Sequence, residues 1–320
     1  MKVRNLRWLI QFIAFAVLVY GGLVAIDLGN KLPTFACRYV DSRGGMCFLF
    51  PFQMLLEHTP FQAYFMHHGY RAIRLLEYFG TFFVLAIILN KAWCGWLCPF
   101  GFLQDLASEL RSALNIRYSF MKWSTRDRLQ WVKYGFLFLF VFILPLMMAN
   151  HLFSPTVTRD LSNPFCQICP ARLILPIAEG NFSQIYLDTS SGVKFVLTSL
   201  ALLIAGISVI GAFFYKRFVC RFCPMNAFLS LFDRVGFMQL KKDPQKCTKC
   251  GNCYRVCPME IREIYLEDKK SNVLNQDCML CLRCIESCPE DGALKATYLG
   301  KAIFTSSSKG FFERQNADKK

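Results

Sequence analysis

Four long apolar stretches separated by polar loops dominate the chain: Trp8–Ile26, Leu75–Leu89, Trp131–Ala149 and Phe195–Tyr215. Each comes near the roughly 20 residues a helix needs to cross a hydrocarbon core, so each predicts a membrane span. The second is short and begins beside Arg74 and Glu77, and it is expected to extend through Trp93–Trp96. Lys2, Arg4 and Arg7 precede the first stretch in the manner of a signal peptide. No small-residue cleavage site follows Ile26, so an uncleaved anchor is expected. Shorter amphipathic patterns lie between the spans. Phe102, Leu103, Leu106 and Leu110 share one helical face, with Gln104, Asp105, Ser108, Glu109 and Arg111 opposite. Ala227–Phe232, followed by Asp233 and Arg234, is a weaker counterpart. Both read as helices lying in the membrane interface or, equally, as ordinary packed helices.

Composition agrees with the pattern. Of 320 residues, 54% are apolar and 32 are Phe, which is too greasy for an ordinary soluble protein. The formal charge of +15 would suit nucleic acid, but the basic residues cluster beside apolar segments, as cytoplasmic membrane flanks do. No nucleic-acid partner is expected. Segments 29–70 and 150–193 hold five Lys or Arg in 86 residues, whereas 1–7, 91–130 and 216–221 hold twelve in 53. The second group belongs inside, which predicts a multi-pass membrane protein with both termini cytoplasmic. No phosphate loop, Ser/His/Asp set, nucleotide fingerprint or Cys-x-x-Cys-His is present.

The chemistry lies in the sixteen cysteines. Cys247-x-x-Cys250-x-x-Cys253-x-x-x-Cys257-Pro258 is repeated as Cys278-x-x-Cys281-x-x-Cys284-x-x-x-Cys288-Pro289. Three thiolates spaced this way wrap one corner of an iron–sulfur cube, and the fourth ligates the other cube. The expected 4Fe–4S ligand sets are therefore Cys247, Cys250, Cys253 and Cys288, and Cys278, Cys281, Cys284 and Cys257. A zinc ribbon uses two Cys-x-x-Cys pairs rather than two tandem runs of four. The predicted architecture is an all-α membrane domain of four transmembrane helices (1–240), a small α+β two-cluster bacterial ferredoxin domain in the cytoplasm (241–300), and a polar tail (301–320).

The other eight cysteines follow an internal repeat of span, outer loop with two Cys, span, and inner pair ending in Cys-Pro. Cys37 and Cys47 lie in the first outer loop, and Cys166 and Cys169-Pro170 in the second. The inner pairs are Cys94 with Cys98-Pro99 and Cys220 with Cys223-Pro224. A pseudo-twofold axis along the membrane normal would bring the inner pairs together, as candidate ligands of a further cluster. Another metal, a redox thiol or simple packing are the alternatives. The outer four are candidates for a second further centre, for disulfides suited to an oxidising face, or for an exchangeable dithiol. Centres on both sides would face each other across roughly 30 Å of hydrocarbon, calling for another centre or a partner subunit. All four His, His58, His67, His68 and His151, fall on the outer side. His67, His68 and His151 are candidates beside a quinone; ordinary interfacial His is the alternative.

Cys94-Gly-Trp-Leu-Cys98-Pro99, Cys220-Arg-Phe-Cys223-Pro224 and the two ferredoxin runs occur in that order around the spans. In this, residues 8–295 resemble the NapH/NosR-type polytopic membrane ferredoxins. The resemblance implies an electron-transfer subunit of a quinol dehydrogenase or oxidoreductase complex, linking the quinone pool to a respiratory partner such as a ferredoxin-like protein or multihaem cytochrome. A transmembrane reductase serving an outer disulfide, metal or haem acceptor, and a cluster-based redox sensor or assembly protein, are alternatives. Two features depart from the family pattern: Cys220 and Cys223 stand one residue closer than the usual Cys-x-x-x-Cys-Pro, and the four outer Cys are additional.

Overall fold

The computed structural model describes residues 3–24, 33–34, 36–57, 61–117 and 119–318. Three helical segments among them are long and apolar enough to cross a membrane: Val3–Leu23, Trp123–Ala149 and Gly192–Phe214. The first is α1 (Val3–Tyr20) with one tighter turn; Gly21 and Gly22 weaken further propagation. A very short strand β1 (Pro33–Thr34) then pairs in parallel with β2 (Met46–Cys47). Helix α2 (Leu49–Glu57) follows, then α3 (Phe61–Leu89). The apolar part of α3, Leu76–Leu89, is shorter than the other spans. The expected extension through Trp93–Trp96 is not continuous with α3. Asn90 takes a left-handed backbone, φ 48°, and Trp93–Leu97 forms a separate wide π turn.

Helix α4 (Pro99–Ala113) leads to α5 (Trp123–Phe136), which runs through wide turns at Leu137–Ile143 into α6 (Leu144–Ala149). Pro145 lacks the N–H that would complete the helical ladder, and the widened turns precede it. Short helices α7 (Pro155–Asp160), α8 (Pro164–Ile168) and α9 (Pro170–Ile177) precede α10 (Gly192–Phe214). Ser191 caps α10 by accepting from Lys194 N at 3.3 Å. Helix α11 (Pro224–Leu229) closes the membrane part.

The two loops expected on the outer side run back among the helices. The start of α2 and all of α8 fold back into the bundle, a course tolerated at membrane depth only where protein covers it. Phe48 is fully buried, with Phe82 of α3 stacked 3.5 Å away and Phe228 of α11 at 5.5 Å between centroids. Full burial of such a ring contributes about 1.5–3 kcal/mol. Phe165 and Ile168 of α8 join the same core.

Helix α4 is turned opposite to an amphipathic helix of a soluble protein. Gln104, Asp105 and Arg111 are buried, while Leu106, Leu110 and Leu114 are exposed. Lipid around the molecule accounts for the apolar residues facing out.

The C-terminal part is an antiparallel sheet of β3 (Met238–Lys242), β4 (Leu294–Tyr298) and β5 (Lys301–Thr305) in the order β3-β4-β5, with α12 (Asn252–Val256), α13 (Glu263–Leu266) and α14 (Arg283–Glu286). The region read as a tail contains β5, paired with β4 from Lys295↔Thr305 to Tyr298↔Lys301, and then α15 (Ser308–Asp318). The ferredoxin sheet thus ends beyond residue 300.

Candidate iron–sulfur sites

Sequence spacing becomes spatial grouping in the ferredoxin region. Cys247, Cys250, Cys253 and Cys288 line one pocket, and Cys257, Cys278, Cys281 and Cys284 line another. The crossing arises because α12 and α14 pack together, so each run's last Cys faces the neighbouring site. Gly251 and Leu282, both with positive φ, turn the chain just before these helices. Burial raises the Cys257 thiol to about 11 and the Cys253 thiol to about 12. Thiols held that high stay protonated and neutral; binding a cube would displace those protons, with the irons supplying the charge that keeps thiolates in apolar surroundings. Among the described residues, no three His, Cys, Asp or Glu converge on a point as ligands of a single ion would.

Within the membrane domain, an apolar cavity of about 110 Å³ is lined by Cys94, Cys98, Cys220 and Cys223. Cys47 and Cys169 line it too. Cys94, Cys98, Cys220 and Cys223 are close enough for their charges to interact, as are Cys37, Cys47, Cys166 and Cys169. The two quartets adjoin through Cys47 with Cys98 and Cys223, and through Cys169 with Cys223. The expected separation by a 30 Å hydrocarbon core is therefore wrong. Re-entry of the outer loops carries their cysteines inward to the inner set. None of the sixteen cysteines is in a disulfide in this structure.

The repeat is visible in how the thiols are presented. Cys98, Cys169 and Cys223 each sit in extended backbone at a helix start, with Pro as the first helical residue. Cys98 Sγ also accepts from Gly101 N at 3.4 Å. A buried glutamine serves each half in the same way. Gln53 Oε1 accepts from Phe165 N at 3.0 Å, and its Nε2 donates to Cys166 Sγ at 3.3 Å. Gln104 Oε1 accepts from Val219 N at 3.0 Å, and its Nε2 donates to Cys220 Sγ at 3.7 Å. Each glutamine lies six residues after a cysteine, Cys47 or Cys98, and clamps the first cysteine of the opposing pair. Reading cysteines alone misses these glutamines; the shared Cys-x₅-Gln spacing is their signal.

A buried ionic group holds the inner loops. Asp105 accepts from Arg217 Nε at 2.9 Å and Nη2 at 2.5 Å, from Arg7 Nη2 at 2.6 Å and from Gln11 Nε2 at 3.0 Å. Arg217 Nη1 donates to Cys94 O at 3.1 Å, and a methyl on Gly101 would collide with it. The ferredoxin domain docks on this assembly. Trp96 Nε1 donates to Leu280 O at 2.9 Å, and Gly95 sits so close to Met279 O that no side chain fits. Met279, next to Cys278, reaches the lining of the central cavity.

Of the proposed quinone-side residues, His151 is exposed in a left-handed turn after α6. The side chains of His67 and His68 lie outside the described residues, as does His58.

Apolar spans, a docked ferredoxin fold and clustered thiols define a membrane-embedded iron–sulfur protein. Residues 73–117 and 198–242 each match a 4Fe-4S binding domain family, and residues 239–289 match a 4Fe-4S dicluster domain family. The first two matches contain the inner cysteine pairs. Uncharacterized protein MJ0750 of Methanocaldococcus jannaschii is 32% identical over 68% of this chain and 76% of its own length. The putative electron transport protein YccM of Escherichia coli is 27% identical over 65% of the chain and 52% of its own. The ferredoxin-type protein NapH of Haemophilus influenzae is 27% identical over 64% and 62% respectively. The chain thus spans about half of YccM and under two thirds of NapH. No solved structure matches it. The chain belongs to the family of NapH/NosR-type membrane ferredoxins, iron–sulfur proteins of membrane electron transfer.

Proposed function

We propose that the chain carries electrons between a quinone in the lipid and a redox partner, with four spans and four iron–sulfur sites. The observation that carries this reading is the series of thiol groups running from the two ferredoxin pockets to a central cavity, where Cys94, Cys98, Cys220 and Cys223 are joined by Cys47 and Cys169. Cys247, Cys250, Cys253 and Cys288 would hold the first centre, and Cys257, Cys278, Cys281 and Cys284 the second. Cys94, Cys98, Cys220 and Cys223 would hold the third, and Cys37, Cys47, Cys166 and Cys169 the fourth. Bound there, 4Fe–4S cubes supply one-electron chemistry whose potential the protein tunes. The residues around the central cavity exclude water and keep both quartets in an apolar setting. Cys250 is exposed, which gives a soluble partner access at the ferredoxin edge. The basic segments support a cytoplasmic position for that edge and both termini, and the family resemblance supports a bacterial inner membrane. The matched glutamine clamps support equal roles for the inner and outer sets. A second reading, electron delivery to an outer-face acceptor, is favoured by the outer loops' contact with the inner set.

Anaerobic purification followed by metal analysis tests the count. About sixteen irons and as many sulfides per chain are expected for four cubes. About eight, with outer disulfides found by mass spectrometry, would confine the clusters to the ferredoxin domain. A quinol should reduce them; intact, reducible clusters that ignore quinol would remove the quinone link. Gln104→Leu should lower the potential of one centre alone. An N–H···S bond is worth about 0.5–1.5 kcal/mol, or tens of millivolts for one electron. Redox titration showing no shift would reduce the clamp to a packing contact.

A further inference from the structure

At the inner rim of the membrane domain, a polar pocket of about 200 Å³ opens between α1, α4, the turn after α10 and the ferredoxin domain. Arg4, Arg7, Lys216 and Arg283 line it, with Asp105, Ser108 and Glu109. Asp105 is already engaged by Arg217 and by one arm of Arg7, so it offers the pocket little counter-charge. Arg7 is only 3% exposed, yet its Nε and Nη1 have no hydrogen-bond partner. Ser108 Oγ is also buried without one. Such groups are costly to leave unmade and mark where a polar ligand sits.

We propose that this pocket binds a phosphate group, supplied by the head of an anionic phospholipid. Buried guanidinium N–H groups, a hydroxyl and three further cations together suit a phosphate's several acceptor oxygens. Lipid is the source favoured by the surroundings. Leu9 and Phe12 of α1 and Leu106 and Leu110 of α4 are exposed on the same two helices, where acyl chains would lie. Trp8, on the pocket wall, is of the type that settles at head-group level. Basic pockets at the inner ends of spans bind anionic head groups in this manner. The ligand would bridge the two domains, because Arg283 belongs to α14 and Pro258 also lines the pocket.

The test uses the full-length, cluster-loaded protein, stripped of lipid in detergent. Phosphatidylglycerol, phosphatidylcholine and inorganic phosphate are added separately, with binding read by native mass spectrometry and unfolding by the melting curve. Retention of phosphatidylglycerol over phosphatidylcholine is expected, weakened about fivefold for each charge removed in Arg4→Gln and Lys216→Gln. Arg4 is exposed, so Arg4→Gln remains informative if the double variant does not fold. Inorganic phosphate raising the melting temperature of wild type but not of the variants, with no lipid preference, would keep the phosphate site and overturn its lipid source. Equal behaviour of wild type and folded variants towards all three probes would overturn the site. Cluster content is measured in parallel, so that failure of the electron-transfer reading is seen separately.

Discussion

Asp105→Ala is expected to destabilise the membrane domain by about 3–5 kcal/mol, the usual cost of breaking a buried ion pair from one side. Asp105 faces Arg217, which has no exposed side-chain surface, and Arg7, which has 3%. Removing the carboxylate leaves two buried guanidinium groups without their counter-charge. Two of its donors also hold a loop that presents thiols: Arg217 donates to Cys94 O, and Gln11 donates to Gly95 O. Iron at the inner site should therefore fall before iron in the ferredoxin domain. The pH dependence follows from the same contacts. Burial pushes the Asp105 carboxyl up, but Arg217 and Arg7 outweigh it and hold it at about 2. An unfolded Asp titrates near about 3.9. The stabilisation is thus fully present above about pH 4 and is lost as pH falls toward 2. Denaturation in detergent with iron analysis checks both parts. A loss under about 1 kcal/mol, typical of an exposed pair, would show that the other contacts suffice. Replacing Asp105, Arg7 and Arg217 together by apolar residues should cost less than Asp105→Ala alone, because no charge is then stranded.

Cys98→Ser and Cys223→Ser should each abolish the same spectroscopic centre and leave both ferredoxin centres in place. The two residues are 125 positions apart in sequence, yet both line the central cavity with Cys94 and Cys220. Either half supplies only two thiolates, and two do not retain a cube that takes four. Each variant should lose about four irons per chain on that basis. Unchanged iron and spectra in both variants would return these cysteines to packing. Loss of two different centres would show that the pairs do not share a site. The outer set is the internal control: Cys166→Ser should remove a different centre from Cys223→Ser, although Cys169 and Cys223 are neighbours.

The ferredoxin groups were legible in the sequence because their ligands sit in compact runs, and the crossing follows from spacing within each run. The inner pairs could be brought together by the repeat. Convergence of the outer cysteines on them could not. A hydropathy reading sees stretches of about 20 residues, whereas the re-entrant turns are α2 and α8, nine and five residues long. The orientation of α4 was also hidden. Its pattern fixes two faces, but burial of Gln104, Asp105 and Arg111 depends on Arg7, Arg217 and Val219, which are distant in sequence. The cysteine pattern ends at Cys288-Pro289 and carries no signal for β5, which lies beyond the expected boundary at 300 and is recognised only by its pairing.

The docking of the two domains bears on whether they are interchangeable parts. Glu260 carries Arg221 at 3.1 Å and accepts from Met121 N at 3.0 Å, Asp277 carries Lys133 at 2.6 Å, and Glu286 accepts from Val3 N at 3.1 Å. Arg126, Lys133 and Arg221 are almost entirely covered in the joined molecule. A generic ferredoxin grafted onto this membrane domain would strand those cations, and a graft in the other direction would strand the acids. The joint therefore acts as a lock on ancestry: domains from relatives can be exchanged only when both sides of the seam travel together, and a hybrid respecting the cysteine motifs alone would assemble poorly.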